Sequence, residues 1–186
     1  TREQVEKLTA NDLRETSRLS TLVEDMLLAA RLESNWQPLA EPIDLSLLVK
    51  DIISNLKIRF PEANIQVQIQ ANLAPVSADR SGLISVIQNL LENALKYSPK
   101  GAAVVFSAER TAVNRLSIRV LDQGSGVPGT EKQTIFEKFY RLGNEETRKT
   151  TGTGLGLYIV QQVVKAHNGT IQVLDNQPNG TIMAID

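Results

Sequence analysis

Apolar residues recur at spacings of three and four along the first thirty residues, at Val5 and Leu8 and then at Leu19, Leu22, Val23, Met26, Leu27 and Ala30. The spacing marks one stripe of a single long helix, predicted over 2–34. Such a helix reaches about 45 Å. A stripe of that length suits a helix bundle or coiled coil better than a surface helix lying on its own domain. Trp36, Pro38 and Pro42 follow, and the two prolines predict a boundary. We therefore divide the chain into residues 1–38, one helix of a bundle or coiled coil, and residues 39–186, a separate unit.

Within the second unit, Asp44 is placed to cap a helix from Leu45 to Arg59, with Leu48, Ile52, Ile53 and Leu56 on its apolar face and Pro61 beyond its end. Ile65 to Ile69 alternates as a half-buried strand. Ala74 to Ala78 reads as a short strand, and Asp79 or Ser81 opens a helix through Ile84, Ile87, Leu90, Leu91, Ala94 and Leu95. Ala102 to Ala108 and Leu116 to Leu121 read as strands joined near Thr111 to Asn114. A helix from Gly154 to Ala166 and strands at Thr170 to Leu174 and Thr181 to Ile185 close the chain. Three helices against a mixed, largely antiparallel sheet make an α+β sandwich. The segment 129–151 holds only a short apolar cluster, Ile135, Phe136, Phe139 and Tyr140, between glycine turns, and is predicted to be a hinged lid.

Composition narrows the partners. Twenty basic and twenty-one acidic residues leave a net charge of −1, so no global field draws the chain to nucleic acid or anionic lipid. The absence of cysteine excludes disulfides and thiolate metal sites, and one histidine excludes a multi-histidine metal site. No apolar run approaches the roughly 18–20 residues of a membrane span. Starting at Thr1 in the middle of a helical pattern, the sequence reads as a soluble, cytoplasmic piece of a longer protein, compatible with a membrane-bound parent.

Three segments carry chemistry. On the helix of NLLENALKYS, Asn89 and Asn93 lie one turn apart on one face. Their amide oxygens are hard, neutral ligands suited to magnesium, which completes its shell with water and phosphates. Lys96 extends from the next turn as a point charge for phosphate, and Tyr97 offers a ring for stacking. Asp122 leaves a strand into DQGSGVP; an ionised carboxylate only accepts, which matches the exocyclic amine of adenine, while Gly124 and Gly126 let backbone approach a flat base. Gly152, Gly154 and Gly156 of GTGLGL open a helix, where free amides form an anion cradle. Its spacing is neither the P-loop nor the dinucleotide fingerprint. Each segment alone has a blander reading: solvated helix positions, a common turn, an ordinary glycine run. His167 reads as a last-turn residue favoured by the helix dipole, with no acid beside it in the sequence.

Together the residues resemble the sensor histidine kinases of two-component signalling. Asn89 to Ser98 is similar to their asparagine box, Asp122 to Gly126 to their first glycine box, Phe136 to Tyr140 to their phenylalanine box, and Gly152 to Leu157 to their second glycine box. The resemblance spans Pro42 to Asp186. It implies a Bergerat-type two-layer sandwich that binds ATP with magnesium at Asn89 and Asn93, phosphate contacts from Lys96 and Arg141, and an adenine pocket lined by Tyr97 and read by Asp122. It further implies that Gly152, Thr153, Gly154, Leu155 and Gly156 hold the base of the lid against the phosphates, and that Phe136 and Phe139 anchor it.

Upstream, Leu13 to Ser34 resembles the second helix of the family's dimerisation and phosphoacceptor hairpin. The resemblance implies phosphoryl transfer from ATP to a hairpin histidine and on to an aspartate of a response-regulator receiver domain, with self-association through the hairpin. The histidine-acid box of that hairpin does not occur in this sequence, so the fragment is not expected to autophosphorylate by the family route. Other readings share the scaffold: an ATP hydrolase of the chaperone, gyrase or mismatch-repair type, a serine or protein kinase of the anti-sigma type, and a nucleotide-binding module without kinase activity. The hydrolases usually carry a glutamate where Asn89 stands, and Glu92 is expected on a different face of the helix.

Overall fold

The computed structural model describes residues 2–34, 36–112, 115–143 and 152–186, with side chains in the first helix given at Thr16 and from Leu19 onward. Helix α1 is continuous over Arg2–Glu33. Val5 and Leu8 lie outside the described side chains. Of the remaining stripe, Leu19, Val23, Met26 and Leu27 are exposed. The face turned toward the rest of the chain instead carries Ala29, which is buried, with Leu22, Leu28 and Leu32 half-buried around it. Spacing alone identified an apolar face, and it is the neighbouring face that packs within the chain.

Strand β1 (Ala40–Ile43) pairs antiparallel with the later β3 (Val76–Asp79) in a two-stranded sheet. Local sequence predicts no strand here, because Pro42 marks a boundary. A strand with one free edge accommodates proline, since that edge needs no ladder donor. Helix α2 (Leu45–Arg59) starts where predicted: Asp44 accepts from the Leu47 amide at 3.1 Å, and Leu45, Leu48, Val49, Ile52 and Leu56 are buried at helical spacing. Helix α3 (Arg80–Tyr97) is capped by Asp79, which accepts from the Gly82 amide at 2.8 Å. Leu90 and Leu91 on its inner face are fully buried, each stabilising the fold by about 1.5–3 kcal/mol relative to exposure.

The main sheet contains β2 (Asn64–Ile69), β4 (Ala103–Ala112), β5 (Arg115–Leu121), β6 (Ile171–Asp175) and β7 (Thr181–Ile185), ordered β2-β4-β5-β7-β6. The β2–β4 pair is parallel and the others antiparallel. Val104, Phe106, Ile118 and Val120 alternate onto the face covered by the helices. Helix α4 (Gly156–Ala166) packs against α3 and buries Ile159, Val160, Val163 and Val164. The result is the expected α+β sandwich, with α1 lying along α4.

The predicted lid is only partly a loop. Gly129–Glu131 and Thr134–Phe136 form single 3₁₀ turns, and Ile135 and Phe136 join the core. Residues up to 143 therefore form a packed shelf, because the apolar cluster there suffices to hold short turns in place. Residues 144–151, the rest of that segment, lie outside the described residues.

Candidate functional site

One cavity of about 1020 Å³ opens between α3, α4, the start of the β5 exit turn and α1. From α3, Asn89, Asn93, Lys96 and Tyr97 line it together, as their helical spacing required. The Asn89 side-chain amide donates to the Ser85 carbonyl at 3.0 Å, which leaves its Oδ1 facing the first residue of α4. That residue is Gly156, and a Cβ there would collide with Asn89 Oδ1. Glycine at the start of α4 thus lets the two helices close around an amide oxygen, a hard donor that fits a magnesium ion shared with phosphates. Among the described residues no group of three or more His, Cys, Asp or Glu side chains forms a self-sufficient metal cage.

Glu92 lines the same cavity, which corrects its assignment to another face. A step of three from Asn89 turns about 60° around the helix against about 40° for a step of four, so both stay on one side. It is heavily engaged: Arg59 of α2 lies 2.6 Å away, Lys96 3.2 Å, and the Gln88 amide donates at 3.0 Å. Burial works to raise its pKa, but the Gln88 bond and the charges of Lys96 and Arg59 outweigh it and hold the carboxyl below its ordinary value.

Asp122 is buried at the cavity wall. Its Oδ1 accepts from the Gly124 amide at 2.7 Å and the Thr181 amide at 3.1 Å, while its own N–H donates to the Thr181 carbonyl at 2.9 Å. Oδ2 takes neither backbone bond, and a carboxylate has room for further donors at the cavity that Asp122 lines. Burial raises the Asp122 pKa, and the bonds from Gly124 and Thr181 only partly offset it. Gly124 does not line the cavity; a Cβ on it would sit 2.8 Å from the Tyr97 carbonyl, so it permits close packing behind the acid. Gly126, at φ +77°, does line the cavity.

The glycine segment before α4 forms the opposite wall through Gly152, Thr153, Gly154 and Gly156, whereas Leu155 is buried and anchors it from beneath. Gly154, at φ +76°, accepts from the Phe139 amide at 3.0 Å, and a Cβ on it would lie 2.7 Å from the Phe139 carbonyl carbon. Phe136 and Phe139 thus differ: Phe136 is core, but Phe139 is exposed at φ 62° and holds the segment through its backbone. Arg141 also borders the cavity.

Helix α1 supplies residues that sequence spacing had not assigned to the site. Thr21, Glu24, Asp25 and Leu28 border the cavity. Asp25 Oδ2 accepts from Thr153 Oγ1 at 2.9 Å, and Thr153 Oγ1 in turn accepts from the Leu155 amide at 3.2 Å. Burial raises the Asp25 pKa, with the Thr153 bond acting against it. At the end of α1, Glu33 accepts from Tyr158 Oη at 2.6 Å and pairs with Lys138. Burial and the Glu33 carboxylate push the Tyr158 phenol up to about 12.

His167 stands outside the cavity. Its Nδ1 lies 2.8 Å from the Val163 carbonyl and its Nε2 3.0 Å from the Asp79 amide, so Nδ1 donates and Nε2 accepts. It ties the end of α4 to the start of α3, with Trp36 tilted beside it at 6.0 Å. Although no acid adjoins it in sequence, folding places it next to Asp79. Thr181 and Asp25 escaped the sequence reading because their partners lie 59 and 128 residues away.

Comparison with known proteins places the chain in a family. Residues 78–186 match the family described as histidine kinase-, DNA gyrase B- and HSP90-like ATPase. The chain is 37% identical over 171 residues to the probable sensor histidine kinase TcrY of Mycobacterium tuberculosis, covering 92% of this chain and 36% of TcrY. Among solved structures, the mycobacterial sensor histidine kinase MprB superposes with a TM-score of 0.68 at 32% identity, over 79% of this chain and 95% of that one. Full-length ShkA in complex with AMPPNP superposes with a TM-score of 0.80 at 27% identity, over 94% of this chain and 37% of that one. The chain spans less than half the length of the curated relatives it matches. With the family model covering more than half of its residues, the chain belongs to the histidine kinase-, DNA gyrase B- and HSP90-like ATPases, and the relatives it matches are sensor histidine kinases.

Proposed function

We infer that the cavity holds ATP with its adenine against Asp122 and Tyr97, its phosphates between Lys96, Arg141 and the segment Gly152 to Gly156, and magnesium at Asn89 and Asn93. The observation that carries this reading is that three segments far apart in sequence line a single cavity. When bound, magnesium supplies charge neutralisation for the phosphates. Catalysis by this chain is then largely positioning: Lys96 and the amides at the start of α4 hold the γ-phosphoryl group where an incoming imidazole nitrogen can displace ADP.

The acceptor is a histidine of the dimerisation hairpin in the parent protein, with relay to an aspartate of a response-regulator receiver domain. His167, the chain's one histidine, has both ring nitrogens engaged with backbone away from the cavity. Residues 1–38 serve as the second hairpin helix and 39–186 as the catalytic unit, with the lid assigned to 129–151 anchored through Ile135 and Phe136 in the core. The exposed Leu19, Val23, Met26 and Leu27 suit self-association of such hairpins. No helix among the described residues is long and apolar enough to cross a membrane.

Hydrolysis as the main activity finds no free carboxylate at the described positions of α3 that line the cavity. Asn89 is an amide, and Glu92 is engaged by Arg59, Lys96 and Gln88, which lower its pKa and so weaken it as a base. The test is transfer from labelled ATP to a separately supplied complete hairpin, together with MgATP titration by calorimetry. Asp122→Ala is expected to weaken nucleotide binding broadly, and Asn93→Ala to abolish magnesium-dependent transfer more than adenine binding. Negligible effects of both substitutions defeat the assignment.

A further inference from the structure

The turn between β6 and β7 grips Asp122 from behind. Asn176 Nδ2 donates to the Asp122 carbonyl at 2.7 Å, the Asn176 N–H donates to the Gly180 carbonyl at 3.1 Å, and Asn176 Oδ1 accepts from the Gln177 amide at 2.9 Å. Gly180, at φ +119°, lies so close that a Cβ on it would overlap the Asp122 carbonyl and stand 3.0 Å from Gln123 Cα. Thr181 then takes the Asp122 N–H and donates its own amide to Oδ1.

The peptide on each side of Asp122 is therefore fixed by the same turn, and the carboxylate is fixed at one oxygen. Because the carboxylate is planar and Oδ1 is held, the direction of Oδ2 follows from where the Asp122 backbone sits. A carboxylate that reads an amino group must be held within about half an ångström of its working position, which falls to whatever fixes its backbone. On the carbonyl side that contact is the Asn176 amide, a side chain outside every segment singled out from the sequence.

We propose that Asn176 is a positioning residue for base discrimination: through its hydrogen bond to the Asp122 carbonyl it aims the carboxylate so that the site selects purines bearing an exocyclic amine. The proposal rests on the reading of Asp122 as the acid that meets the adenine amine. Asn176 touches no substrate, so its contribution is to selectivity rather than to phosphoryl transfer.

The experiment titrates the whole chain by calorimetry with MgATP and with the magnesium complex of purine riboside triphosphate, which lacks the amine. Asn176→Ala removes the donor. Asn176→Asp keeps the acceptor for Gln177 and nearly the same shape but cannot donate to Asp122, and so separates the contact from the integrity of the turn; thermal unfolding checks that both variants fold. The unsubstituted chain is expected to prefer ATP by about tenfold or more, since a buried acceptor rejects an analogue lacking its donor. Both variants should cut that preference to within about threefold while moving the analogue's affinity by less than about twofold. Variants that keep the full preference, or that weaken both nucleotides equally, overturn the proposal and leave the reading of Asp122 intact. A chain that shows no preference, with Asp122→Ala binding both nucleotides as the unsubstituted chain does, overturns that reading itself and the proposal with it.

Discussion

Asp25 of α1 and Thr153 of the glycine segment are joined by a hydrogen bond of 2.9 Å that spans 128 residues of sequence. It brings a negative charge to the opening of α4, where the helix N-terminus favours an anion. The bond holds Thr153 in place, but the same carboxylate repels a triphosphate entering the cavity.

Asp25→Asn keeps an acceptor for Thr153 and removes the charge. ATP affinity is expected to rise by about three- to tenfold, the order of one like charge under partial screening, and the gain should shrink with added salt. Calorimetry at two ionic strengths checks this. An unchanged or weaker affinity would mean that Asp25 acts only by ordering Thr153.

Asp122→Asn should separate stability from function. Burial raises the Asp122 pKa, so its ionised form costs folding free energy at neutral pH, a cost relieved as pH falls through the folded pKa. An asparagine still accepts from Gly124 and Thr181. The thermal midpoint of the free chain is expected to rise by about 2–4 °C while ATP binding falls; a lower midpoint contradicts the account.

Gly154 and Gly152 should respond differently to alanine. At Gly154 a side chain meets the Phe139 backbone at positive φ, whereas at Gly152 nothing lies within 4 Å. Gly154→Ala is expected to cost about 1–3 kcal/mol in urea unfolding, and Gly152→Ala within about 0.5 kcal/mol. Equal losses would show that the contact with Phe139 is not what requires glycine.

Glu33 predicts an acid-sensitive end to α1. Its pKa is lowered by the Lys138 and Tyr158 bonds from an ordinary 4.5. A lowered carboxyl contributes in full above its unfolded pKa and loses that contribution as pH falls through the folded one. Trp36, the chain's one tryptophan, follows Glu33 closely in sequence. Its emission should change below pH 4.5 and do so less in Glu33→Gln; identical titrations would remove Glu33 from the docking of α1.

Much of the fold was legible because its signals are local. Asp44 and Asp79 cap the helices that their positions announced, and α3 carries Asn89, Asn93 and Lys96 into one cavity because helical spacing fixes their common face. Strand β1 was missed because its pairing with β3 depends on residues far along the chain and outweighs the local signal of Pro42. Glu92 was misplaced by underrating a step of three on a helix.

The sequence by itself determined the helices, most of the strands and the three chemical segments, since period, capping and glycine content act over a few residues. Tertiary structure alone decided that Asp25 reaches Thr153, that Asn176 and Thr181 hold Asp122, and that Ala29 rather than Met26 is buried against the catalytic unit. Each of these is a contact between elements whose approach depends on the packing of the whole core, and no spacing within one segment encodes it.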